Sequence, residues 1–402
     1  MSSPEPTGLG PPQVYDPDGD LCLIIGREDP LSLIVCSKTL ARASKFFKSL
    51  LYGGFEESKP ADPNQEWLVS LPEPEVDDRA VDIVMNILHG SIHKIPDKIL
   101  FCEGIERGGR EAREEAATIV GDIATVADYW NVTHVLHPWA NYWLDDSCRG
   151  ISYRSHHWYD SLIQAAWHFG DEKLLAHQLG ELVNEISSGA GDDYSDWHMG
   201  SIEPPRVYDH DVGECWELDA PRKGLEFLDL DLICSWRLKV LEVQLGAITS
   251  FLEAATRDTY HPCAYHKAPE SDADWSWVSE NLVDAFNDYK IYPIPEPQDF
   301  QGSIESLGSL LEQVREGFRT YLQGDVDDSG SLDCSGCFPI FREWKRLIAR
   351  VEDAVERPRI TTSDFSEKMK AHLTQQRKLS GIVKNWEAPK WKRSDFVQRS
   401  EM

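Results

Sequence analysis

The chain has 402 residues, more than one hydrophobic core usually serves, so two folded units are expected. An apolar fraction of 41% with 14 Trp excludes a wholly disordered polymer. Forty Lys and Arg stand against 69 Asp and Glu, and the formal charge of −29 repels nucleic acid and anionic membranes, so neither is expected as a general partner.

No basic run of useful length is visible outside the last residues. Met1 to Pro12 is rich in Pro and Gly with no apolar core, so no secretory leader is expected. No run approaches the ~20 apolar residues that span a bilayer. Nine cysteines in a chain of this length are ordinary, and a cytoplasmic or nuclear setting with reduced thiols is expected.

Residues 1–14 read as a disordered arm. Gly19 to Gly26 and Leu31 to Cys36 are apolar runs bounded by turn residues, which predicts a β-hairpin. Ser37 is expected to cap a helix reaching Leu51, with Leu40, Ala43, Phe47 and Leu50 on one face. Trp67 to Leu71 alternates as a half-buried strand does. Asp77 is placed to cap a helix carrying Val81, Val84, Ile87 and Leu88, which Gly90 ends. Glu103 to Glu115 reads as a charged loop or frayed helix start. Ile119, Ile123, Val126, Ala127 and Trp130 then repeat at helical spacing. Val132 to Leu144 continues as a helix in which Pro138 starts or kinks the second half.

Two further helices form a hairpin extension over 149–186, the first through Trp158, Leu162 and Phe169, the second capped by Asp171. Residues 187–225 read as an acidic linker or loop; Ser187 to Ala220 holds nine Asp/Glu against one Lys/Arg. A helical domain is expected over 226–360. Its segments are Asp231 to Ala255, 275–286, 304–322 and Phe338 to Val355. Residues 361–402 are charged with little apolar periodicity, which predicts an exposed helix and tail. No internal repeat is present.

The stretch Asp18 to Gly90 resembles a BTB/POZ domain of the fungal variety. The resemblance is carried by Gly19-Asp20-Leu21, by Ile34-Val35-Cys36-Ser37-Lys38-Thr39-Leu40, and by Phe46-Phe47-Lys48-Ser49-Leu50-Leu51. Gly54-Phe55-Glu56-Glu57-Ser58, Trp67 to Pro72 and Ile83 to Gly90 continue it. Ala127-Asp128-Tyr129-Trp130 and Leu136 to Leu144 are similar to the closing helices of such proteins. It implies an α+β BTB/POZ domain over 15–148 followed by a mostly α-helical C-terminal domain. It also implies homodimerisation and protein partners. Family members that recruit a cullin-type ubiquitin ligase carry a hydrophobic-x-Glu element after the first helices, and Phe55, Glu56 and Glu57 match it. An exposed aromatic there would fill a groove on the partner while Glu57 accepts hydrogen bonds beside it.

Two other groupings stand outside that resemblance. His261, Cys263 and His266 with Cys334 and Cys337 supply N and S donors, the last two at a spacing that suits zinc. Lone core cysteines and surface histidines account for the same residues, and no cofactor is expected. Asp325 to Asp333 begins like a calcium loop, but its twelfth position is Gly336 where a bidentate Glu is needed, so an acidic turn is the expected reading. The phosphate-binding, dinucleotide-binding, zinc-protease and hydrolase motifs are missing. The expectation is a non-catalytic scaffold or adaptor, of a cullin-type ubiquitin ligase if the Phe55 element acts. The alternatives are a nuclear regulator acting through partners, with any DNA contact indirect, and a metal-binding domain in the C-terminal half.

Overall fold

In the computed structural model, residues 10–27, 30–60, 62, 65–71, 76–99, 110–148, 158–185, 227, 230–257, 276–300, 302, 304–323, 339–356 and 360–382 are described. They form a mixed α/β fold: a small four-stranded sheet near the N-terminus and a mostly helical remainder. The chain divides into two compact units, Met1–Gln178 with Thr361–Met402, and Leu179–Ile360.

The sheet comprises β1 (Gln13–Val14), β2 (Leu21–Ile25), β3 (Leu31–Val35) and β4 (Leu68–Leu71), in the order β1-β3-β2-β4. The expected hairpin is present: β2 and β3 are antiparallel, with Leu21 opposite Val35 and Ile25 opposite Leu31. β4 lies parallel to β2, and β1 parallel to β3. Strand alternation sends Leu33, Leu23 and Val69, adjacent in register, into the core. The expectation of a disordered arm to residue 14 is corrected at its end. Gln13 and Val14 pair with β3, and the Tyr15 amide donates to the Ile34 carbonyl at 3.0 Å.

The single helix expected from Ser37 to Leu51 is two: α1 (Ser37–Ala43) and α2 (Lys45–Tyr52). Ser44 between them is extended, at φ −131° and ψ 128°. Its hydroxyl caps α2 by accepting from the Phe47 amide and donates to the Trp130 carbonyl, so the break is fixed by a distant contact. Ser37 is not the cap of α1. Cys36 is, without a side-chain bond, while the Ser37 hydroxyl donates to Asp20 at 2.9 Å.

α3 (Asp78–Leu88) is capped by Asp77, whose carboxylate accepts from the Arg79 amide at 2.8 Å. α4 (Arg110–Tyr129) buries Ile119, Ile123, Val126 and Ala127 completely. The helix expected from Val132 is instead a 3-10 turn, Thr133–Leu136, leading into α5 (His137–Cys148), with Pro138 in its first turn. α6 (Trp158–Phe169) and α7 (Glu172–Glu185) follow. The Asp171 carboxylate accepts from the Leu174 amide at 3.0 Å, as a cap should.

The largest departure is α12 (Glu367–Ser380). The helix exists, but it is not exposed: Met369, Leu373, Gln376 and Ser380 are buried in the N-terminal unit. The Ser380 hydroxyl donates to the Phe169 carbonyl at 2.6 Å, and the Asn141 amide donates to the Gly381 carbonyl at 3.2 Å. His372 stacks on Trp167 with ring centroids 4.0 Å apart. Gly170, at φ +78°, ends α6 where the α12 backbone passes so closely that a Cβ would overlap Leu373 and Arg377.

The second unit contains α8 (Leu230–Arg257), α9 (Ser276–Asp288), α10 (Ile304–Gln323) and α11 (Pro339–Glu356). The buried Trp344 is its hub, with ring centroids of Phe251, Phe286 and Phe318 at 5.0, 5.7 and 5.8 Å. Ile304, Leu307, Leu311, Val314 and Phe318 line the buried face of α10 as their spacing predicts, whereas Leu238 of α8 is exposed. The buried Arg237 donates to the carbonyls of Phe300 and Gly302 at 2.7 and 2.9 Å, tying α8 to the segment before α10.

Candidate functional site

Phe55, Glu56 and Glu57 lie on the turn that follows α2. Gly53 ends the helix and Gly54, at φ +83°, reverses the chain; a side chain at Gly53 would strike the Phe55 ring. The turn is held by its backbone. The Ser58 hydroxyl accepts from the Gly54 amide at 2.9 Å and donates to the Leu50 carbonyl at 3.1 Å. Ser58 N–H donates to the Phe55 carbonyl, and Lys59 N–H to that of Leu51. The Trp67 indole donates to the Glu57 carbonyl at 2.9 Å. These bonds fix the turn's main chain, and all three residues are exposed, Phe55 to 60%. A large aromatic held in water beside two carboxylates is the arrangement a docking contact needs, because little ordering entropy remains to be lost on binding.

A polar and aromatic node supports the turn. Lys59 pairs with Asp20 at 3.2 Å and lies over the Trp67 ring. Trp67 meets Tyr52 edge-on at 5.9 Å, and the Tyr52 and Ser37 hydroxyls are 2.7 Å apart. Burial alone would raise the Asp20 carboxyl, but hydrogen bonds from Ser37 and then Lys59 outweigh it and hold it below the usual carboxylate range.

The opposite face of the sheet carries a row that sequence reading did not single out. Val14, Ile34, Cys22 and Leu68 are adjacent across all four strands. Val14 and Leu68, at its two ends, are 55% and 49% exposed. Their alternation was legible, but which strands lie side by side was not.

Two half-buried histidine clusters hold elements together. His89 donates from Nδ1 to the Met85 carbonyl at 2.9 Å and accepts at Nε2 from the Cys36 amide at 3.2 Å, an assignment that requires the neutral ring. Burial lowers its pKa accordingly. Asp128 of α4 pairs with His168 of α6 at 3.2 Å and accepts from Gln376 of α12 at 2.6 Å. Burial opposes ionisation of Asp128, yet the hydrogen bond and charge of His168, then Gln376, lower its pKa overall.

His261, Cys263, His266, Cys334 and Cys337 lie outside the described residues, as does Asp325 to Asp333. Among the described residues no group of His, Cys, Asp and Glu is arranged to hold a metal ion, and no helix is long and apolar enough to cross a membrane. Compared with known proteins, the chain matches no family model, no curated protein and no solved structure.

Proposed function

We propose that the N-terminal unit is a BTB-like interaction domain and that the protein is a non-catalytic scaffold or adaptor. The observation that carries this reading is the pinned turn after α2, which holds Phe55 in solvent beside Glu56 and Glu57. On this reading Phe55 enters an apolar groove of a cullin-type partner, and Glu57 accepts hydrogen bonds at its rim. The row Val14–Ile34–Cys22–Leu68 supports self-association, since a second copy related by a two-fold would cover it with the same row.

The test is co-purification of the tagged full chain with a cullin from its native cell. Phe55→Ala with Glu57→Ala should abolish cullin recovery while leaving the fold intact by circular dichroism. Undiminished recovery sinks the assignment of those residues. Light scattering tests the second element: the full chain should be dimeric, and Val14→Asp with Leu68→Asp should return it to a monomer.

A further inference from the structure

The corner between α1 and α2 concentrates positive charge that no continuous basic run in the sequence announces. Lys38, Arg42, Lys45 and Lys48 line one open cleft of about 700 Å3, and His134 of the 3-10 turn joins them. All five are exposed, and none of the four Lys and Arg makes an ion pair among the described residues. No Asp or Glu of the described residues lines the cleft. In a chain of net charge −29, the ordinary fate of a surface cation is a neighbouring carboxylate. Four unpaired cations around one concavity focus a positive potential instead.

The remaining lining mixes apolar and aromatic groups, Ala41, Ala43, Tyr52 and Leu379, with the neutral polar residues Ser44 and Asn131. Leu379 comes from the docked α12, so the cleft is complete only when that helix is in place. The volume falls in the ~300–1,000 Å3 range of ligand clefts. Charge and apolar lining together call for a ligand with several carboxylates and some hydrocarbon. A nucleic acid or an anionic membrane would extend past the cleft over a chain whose net charge is −29, and most of that charge opposes it. A second copy would bring like charges together across a two-fold axis.

We propose that this cleft binds a short acidic polypeptide segment, whose carboxylates pair with Lys38, Arg42, Lys45 and Lys48 while its apolar side chains rest on Leu379 and Tyr52. It uses none of Phe55, Glu56 or Glu57, so loss of a cullin contact leaves it standing.

The test is fluorescence anisotropy of the full chain with a fluorescein-labelled peptide of alternating Leu and Glu. Saturable binding is expected at low ionic strength, weakening as salt is raised. Lys45→Glu with Lys48→Glu should weaken it by at least about tenfold. Lys45→Arg with Lys48→Arg should retain it, which separates charge from damage to α2. The same peptide with Gln for Glu should not bind. Absence of saturable binding by the Glu peptide, or equal binding by the charge-reversed variant, overturns the proposal. So does tighter binding of single-stranded DNA or of phosphatidylserine vesicles than of the peptide.

Discussion

α4 and α12 belong to the same unit and are both buried along one side, but by different chemistry. α4 presents an unbroken apolar stripe, Ala116, Ile119, Val120, Ile123 and Ala127, each fully buried. α12 presents Met369 and Leu373 with Gln376 and Ser380 in the same row. Its two apolar anchors contribute about 1.5–3 kcal/mol each. Placement then depends on hydrogen bonds from Gln376 to Asp128 and from Ser380 to the Phe169 carbonyl. Each of these contributes about 1 kcal/mol net, but leaves a desolvated partner behind when it is lost. An apolar stripe therefore creates a core helix, while a mixed row makes a helix whose position depends on particular partners.

The largest effect should come from the stripe. Ile123→Ala removes a fully buried branched side chain and should cost about 2–5 kcal/mol in urea unfolding of the full chain. A cost under ~1 kcal/mol would mean that α4 is no more central than α12. Gly170→Ala should come next, at about 2–3 kcal/mol. It places a Cβ at a left-handed backbone, which costs ~1–2 kcal/mol, and against the α12 main chain.

Gln376→Leu keeps the volume but leaves Asp128 one donor short, with an expected cost of about 1–3 kcal/mol. Hydrogen exchange should show the loss at α12 amides before those of α4; equal acceleration in both would erase the distinction.

Acid should also separate the two helices. Burial lowers the His372 imidazole below its ordinary pKa of about 6.5, the attraction of Asp128 only partly offsetting this. Its neutral ring therefore contributes fully above pH 6.5, and that contribution is lost as pH falls through the depressed native value. Protection of the α12 amides, corrected for the intrinsic pH dependence of exchange, should fall as pH drops below about 6.5. His372→Phe, which keeps a ring against Trp167 but cannot take a proton, should flatten the dependence.

The smallest effect on stability belongs to Phe55→Ala. A side chain 60% exposed on a backbone-held turn should change unfolding by no more than about 0.5 kcal/mol. A cost above ~1.5 kcal/mol would make Phe55 a packing residue instead of a contact.

Much of the fold was legible in sequence where one apolar period ran without interruption. The β2–β3 hairpin, α4 and α10 were read from such patterns, and the Asp77 and Asp171 caps from residue type. The Phe55 turn was legible as a motif, but its exposure was not. That depends on Ser58 and Trp67 satisfying the main chain around it. The paired strands that assemble the Val14 to Leu68 row were also invisible, because strand order is a long-range property.

Alternation and helical spacing determined, from the sequence alone, where most strands and helices form, because they follow from which face of a local segment avoids water. Tertiary structure alone decided three things. It broke the first helical run at Ser44, where the Trp130 carbonyl accepts a hydrogen bond from the hydroxyl. It docked a polar α12 through partners on α4, α5 and α6. It also gathered cations from residues 38–48 with His134 and Leu379 into one cleft. In each case the deciding interaction joins groups far apart in the chain, and local periodicity carries no record of which distant partner will arrive.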